Sequence, residues 1–275
     1  MLGVSAYLIL FLLGLIILGI AIWKTKSFRI FIMYFTVTGV TLLFDYFIYV
    51  WAKAYVYKID VLTNELDSHL GAMVNGLVLP AFAALFVILR CRWYWSIPLA
   101  LFFALIELLF TKWGIFTANW WNPWYTVAGL IIYFPVARIW WIHVKKKWIH
   151  FGTLLLSFYG IFIPLHFLLH AVFNMRSYHV EWIEQLHRGS SAITSITGLF
   201  FAIVLAYLSI VRAKNGWFYF IIVCYIAYDI ILKYVGVVKT EHTVFDSVLS
   251  FFTFFLGYLF VRYSDRKIKV LVNTT

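Results

Sequence analysis

Residues 106–125 read IELLFTKWGIFTANWWNPWY, and residues 228–246 read YDIILKYVGVVKTEHTVFD. In the first stretch Glu107 stands inside an apolar run and Gly114 follows seven residues later, before a tryptophan-rich exit. In the second, Asp229 stands inside an apolar run and Gly236 again follows seven residues on. A carboxylate embedded in apolar sequence of this length is a costly feature of a membrane helix. Two copies of it predict an internal repeat, with the remaining segments built around the pair.

The composition sets the class. Charged residues are 12% of the 275-residue chain and hydrophobic ones 64%, against about a quarter charged in soluble domains. The apolar residues come in blocks of roughly 20, the length that crosses a bilayer core as a helix. Alternating ten-residue segments of a β-barrel are missing. The expected fold class is therefore all-α, a polytopic helical bundle. A net charge of +11 does not point to nucleic acid, because the basic residues lie in short connections between apolar blocks. Cys91 and Cys224 sit in different settings and suggest neither a disulfide framework nor a cysteine metal cluster.

Nine spans follow: 4–23, 29–51, 70–89, 93–111, 123–143, 150–173, 191–211, 217–238 and 243–263. The first has no basic residues before it and Lys24 and Lys26 after it, so it reads as a retained helix and not a cleaved signal. Connections alternate in charge. Lys24, Lys26, Arg29, Arg90, Arg92, Lys145, Lys146, Lys147, Arg212, Lys214 and the basic tail fall on one side. Asp60, Glu65, Asp67, Glu181, Glu184 and Glu241 fall on the other. Excess Lys and Arg marks the cytoplasmic face, which predicts a cell-membrane protein with its N-terminus outside and C-terminus inside. Trp93, Trp95, Trp120, Trp121, Trp124, Trp140 and Trp141 sit where spans meet headgroups. Lys145, Lys146 and Lys147 are expected to contact anionic headgroups.

Aligning the acid-bearing spans brings Asp45 into register with His166 and the His69 region with the His187 region. The organisation expected is a lead helix (1–28), two parallel four-helix repeats (29–149 and 150–263) and a short basic cytoplasmic tail (264–275). Parallel repeats about an axis along the membrane normal are a transporter device. The segment YHVEWIEQLHRG, 178–189, has the spacing of a short helix lying on the outer surface.

Over its first half the chain resembles the uncharacterised five-helix integral membrane proteins of endospore-forming Gram-positive bacteria. Glu107, Lys112 and Gly114 match their acid-bearing helix E-x-L-x-x-K-x-G, and Trp121, Trp124 and Tyr125 match the W-x-x-WY that follows. Pro135 matches the final helix, and Asp45 and Pro80 suit the earlier ones. The second half departs from this pattern, losing the tryptophan motif and carrying His166 at the first acid. The resemblance implies a membrane protein of a spore former and lends no activity.

The candidate chemistry lies with ionisable residues inside the spans. Asp45, Glu107, His166 and Asp229 stand roughly 18–25 Å from the cytoplasmic ends of their spans at about 1.5 Å per residue. They form one expected layer, with His69 and His187 at the outer mouths. Three readings of this layer stay open. The acids pair with Lys112, Lys233 or tyrosine hydroxyls and lock the bundle. Alternatively, they bind a small solute or ion for outward-facing binding or transport. Or His166, His170, Glu184 and His187, spaced to place ligands on one helix face, hold a divalent metal for an intramembrane enzyme. A structural or assembly role in the cell or spore envelope is a further alternative. Phosphate loops, nucleophile elbows and His-Glu-x-x-His are missing. Pro80, Pro98 and Pro164 are candidate kinks that free carbonyls.

Overall fold

The computed structural model describes the backbone of residues 2–58, 64–171, 176–178, 186–240 and 242–273, and the side chains of 3–58, 70–168, 176–178, 192–240 and 242–270. Among these residues nine helices are long and apolar enough to cross a bilayer, and the protein is an all-α, multi-pass membrane protein. The observed spans, from Gly3–Thr25 to Thr243–Val270, follow the apolar blocks closely. The chain divides into two compact units, Met1–Val144 and Lys145–Thr275. The division falls in the basic turn ahead of the expected boundary at 149/150, and the first helix belongs to the first unit instead of standing apart.

The first unit runs α1 (Leu2–Thr25), α2 (Arg29–Asp45), β1 (Tyr55–Tyr57), α3 (Asn64–Ile88), α4 (Ser96–Lys112), β2 (Phe116–Ala118) and α5 (Pro123–Ile142). A π-helical turn, Tyr46–Trp51, continues α2 directly after Asp45; such turns recur at functional positions. Helix α3 is central, packing against α1, α2 and α5, while α4 packs on α5. Within lipid, helices associate by close packing of small residues. Ala21 of α1 and Ala84 of α3 are fully buried together against Ile30. A Cβ on Gly14 would lie 3.0 Å from Val78 of α3.

The second unit runs α6 (Lys147–Ala171), β3 (Ser177–Tyr178), α7 (Leu186–Ile210), α8 (Asn215–Tyr234), β4 (Val238–Lys239) and α9 (Thr243–Asn273). Here α6 is central and packs along both α7 and α9. Phe158 and Phe162 of α6, Phe254 of α9 and Tyr225 of α8 form an aromatic core, with Tyr225 stacked on Phe254 at 4.1 Å. The packing differs from the first unit at one seam. Whereas α6 and α9 pack along each other, α2 and α5 approach at few points and are joined by the Thr41–Tyr133 hydroxyl pair at 2.8 Å.

Each unit carries a short antiparallel ribbon, and the two ribbons share a register. Tyr57 faces Phe116 and Tyr55 faces Ala118 in the first; Tyr178 faces Val238 and Ser177 faces Lys239 in the second. Both second strands begin two residues after a glycine with positive φ, Gly114 at 74° and Gly236 at 79°. These glycines end α4 and α8 in a left-handed conformation that a side chain disfavours. The spacing from Glu107 to Gly114 therefore reflects about one and a half further turns of helix and a cap.

Two expectations change, and a third lies partly outside the described residues. The basic tail is helical: α9 continues to Asn273, because Asp265 is held by His150 of α6 at 3.2 Å and by Lys269 at 2.6 Å. Pro98 lies in the first turn of α4, where its missing N–H costs no helical bond, so only Pro80, Pro135 and Pro164 stand inside helices. The surface-helix stretch falls partly outside the described residues, and α7 begins at Leu186.

Gly114→Ala and Gly236→Ala should each cost about 1 kcal/mol through the left-handed backbone alone, since nothing lies within 4 Å of either added Cβ. Gly19→Ala, also free of close neighbours but inside α1, should not destabilise. Thermal unfolding in detergent checks all three.

Candidate functional site

The first unit encloses a cavity of about 460 Å³ at the seam between α2 and α5. Its walls come from all five helices and both strands, and they are mainly apolar. Two carboxylates, Asp45 and Glu107, stand on the lining. Among the described residues the lining holds no Lys, Arg or His.

Asp45 is the last α-helical residue of α2 and is buried. The Tyr55 hydroxyl donates to its Oδ1. Strand β1 places Tyr55 and Tyr57 side by side at the cavity, with rings 5.4 Å apart, and β2 holds that strand in place. Burial first, and then the nearby Asp45 carboxylate, push both phenols well above their usual range, so they stay protonated and act as donors. Glu107 projects from α4 toward α5 and accepts from the Thr126 hydroxyl. Thr126 in turn accepts from the Trp121 indole at 3.0 Å. Oε1 of Glu107 is buried without a hydrogen bond of its own among the described residues.

The second unit treats its acids differently. Arg176, just ahead of β3, is buried and reaches both Asp229 of α8, at 2.7 Å, and Asp246 of α9, at 2.6 Å. Lys233, one turn after Asp229, also reaches both, at 2.8 and 2.7 Å. Two cations and two anions thus alternate in a closed ring of zero net charge. Ser250 and Ser247 add hydrogen bonds to Asp229 at 3.3 and 3.4 Å. His166 Nε2 lies 2.9 Å from the Tyr178 hydroxyl and 3.5 Å from Arg176 Nη1. Burial works against the Arg176 charge, but Tyr178, Asp246 and Asp229 outweigh it and raise its affinity for the proton.

The predicted residues therefore meet in pairs, each inside its own unit: Asp45 with Glu107 at the cavity, His166 with Asp229 around Arg176. Lys112 is exposed and forms no ion pair with Glu107 among the described residues, because five residues along a helix place the two on different faces. Lys233 does pair with Asp229, as its i+4 spacing predicts. His69, His170, Glu184 and His187 lie outside the residues whose side chains are described. Among the described residues no cluster of three or more His, Cys, Asp or Glu is placed to hold a metal. The guanidinium beside His166 Nε2 is a poor neighbour for a metal cation there.

Several site residues had no distinct signal. Arg176 is a lone base in a connection, and Asp246 lies at a helix start where acids are ordinary. Trp121, grouped with the headgroup tryptophans, instead turns inward onto Tyr55 with rings 5.6 Å apart. Trp120 and Trp124 remain exposed.

Removing one member of the buried ring leaves an uncompensated charge. Arg176→Ala should destabilise by about 3–5 kcal/mol. The Arg176→Ala/Asp246→Ala double variant should lose less than the sum of the two single losses. Denaturation in detergent micelles gives all the terms of this cycle.

Compared with known protein families, with curated proteins and with solved structures, the chain matches none.

Proposed function

We propose that this is a membrane-embedded protein that binds, or transports, a small solute in the cavity of its first unit, with Asp45 and Glu107 as the polar anchors. The observation that carries the reading is the cavity itself. Its volume falls in the range of ligand sites, which are typically apolar with a few converging polar groups. The second unit has the opposite character: every acid in its ring is satisfied by the chain, so its role is to lock four elements together.

We read the two units as variants of one plan. The shared strand register, the matched left-handed glycines and the acids seven residues before them support an internal repeat. The five helices of the first unit accord with the resemblance to the five-helix proteins of spore formers. In a cell membrane, the alternating basic connections favour an external N-terminus and a cytoplasmic C-terminus. The exposed Lys145, Lys146 and Lys147 would then meet anionic headgroups.

A thermal-shift screen of small solutes against protein in lipid nanodiscs tests the binding reading. A ligand at a hundred times its Kd should stabilise by about 2.7 kcal/mol. Gly129→Phe should abolish that shift, since Gly129 lies on the cavity lining and has nothing within 4 Å of an added Cβ. A shift equal in wild type and Gly129→Phe would place the ligand elsewhere and end the reading.

Orientation is tested by single cysteines in a chain freed of Cys91 and Cys224. Cysteines replacing Asn64 and Ser177 should label from outside intact cells, and one replacing Thr274 should not. The reverse pattern would invert the topology.

A further inference from the structure

We infer that the ligand of the first-unit cavity is an amphipathic organic cation, an ammonium or guanidinium head on an apolar body, that enters sideways from the hydrocarbon between α2 and α5. This rests on the reading of the cavity as a binding site and names what fills it.

The two ribbons supply the first argument. Their registers match residue for residue, Tyr57 with Tyr178 and Phe116 with Val238. The residue two before Tyr178 is Arg176, and the residue two before Tyr57 is Tyr55. In the second unit that position sends a guanidinium to Asp229, seven residues before Gly236, and toward His166. In the first unit the corresponding acid is Glu107, seven residues before Gly114, and Asp45 stands in the place of His166. The position of the arginine is held by a tyrosine. Among the described residues the chain thus supplies a cation to the acid of one unit and none to the acids of the other.

Packing agrees with chemistry. Where Arg176 and Lys233 neutralise the acids, α6 and α9 lie along each other. Where no basic side chain lines the space among the described residues, α2 and α5 stay apart and about 460 Å³ opens between them. An ionised carboxylate in a membrane interior calls for a compensating charge, and among the described residues no basic side chain lines the cavity, so a bound cation is the partner this site would take. The aromatic faces of Tyr55, Tyr57, Phe116 and Trp121 around the acids suit a cationic head, which aromatic rings attract.

The mouth gives the route. Its rim residues Val40 and Phe44 on α2, and Ile132 and Val136 on α5, are exposed within their spans, Phe44 at 56% and Ile132 at 63%. An apolar rim at this depth admits a molecule already dissolved in the bilayer.

The test uses the full chain in nanodiscs and three near-isosteric probes: 4-phenylbutylammonium, 4-phenylbutanol and 4-phenylbutyrate. Binding is measured by calorimetry against protein-free nanodiscs. The ammonium should bind at least roughly tenfold more tightly than the alcohol, and the carboxylate should not bind. Glu107→Gln should remove the preference for the ammonium while leaving alcohol binding in place. Tyr55→Arg, which puts at the first strand the side chain that the second unit carries, should abolish ammonium binding and raise thermal stability. If the alcohol or carboxylate binds as well as the ammonium, or Glu107→Gln leaves the preference intact, the cation inference fails while the cavity remains a binding site. If no probe, and no solute of any charge in the screen, binds, both readings fail together.

Discussion

Compensation of buried charge governs this molecule. An ionised group buried in a bilayer has no water to lean on, and its partners have to stand within hydrogen-bond reach. In the second unit the ring of Arg176, Asp229, Lys233 and Asp246 meets that demand from three separate parts of the chain. It ties α8 and α9 to the segment that enters β3, and through His166 and Tyr178 it reaches α6. None of these residues can be removed without exposing another. The ring therefore gives the unit its specific geometry, while the apolar helix faces supply only a general tendency to pack.

The first unit meets the same demand with weaker means. Asp45 and Glu107 take hydrogen bonds from neutral hydroxyls, Tyr55 and Thr126, and no basic side chain joins them among the described lining residues. Neutral donors hold a carboxylate in place without cancelling its charge. The seam between α2 and α5 stays open there, bridged by the hydroxyls of Thr41 and Tyr133. A helix bundle that closes around an internal cation in one unit and leaves a lined space in the other draws two outcomes from similar backbone parts. The ribbons β1–β2 and β3–β4 make this possible. They return side chains from the connections into the bundle, at a level that helices alone would leave to their own faces.

Small residues set how closely the helices approach. Ala21, Ala84 and Gly14 bring α1 onto α3, and Gly198 and Gly257 sit against Phe162 and Phe158 of α6. In lipid, where burying apolar surface against protein gains little over burying it against acyl chains, such contacts carry the association. They place α3 and α6 at the centres of their units.

The sequence by itself determined the number and approximate positions of the spans, because hydrophobic length is a local property that each segment carries alone. It also marked Asp45, Glu107, His166 and Asp229, since a charge inside an apolar run stands out wherever its partners are, and it marked the Asp229–Lys233 pair, which helical spacing fixes. Tertiary structure decided the rest. Arg176 and Asp246 became ring members only when connections folded back onto helices distant in sequence. Trp121 faces inward because β2 and the start of α5 turn it toward Tyr55. The helical extent of α9 past residue 263 followed from His150 and Lys269 converging on Asp265. In each case the energy of the residue depends on a partner many positions away, and no local pattern in the chain records where that partner will stand.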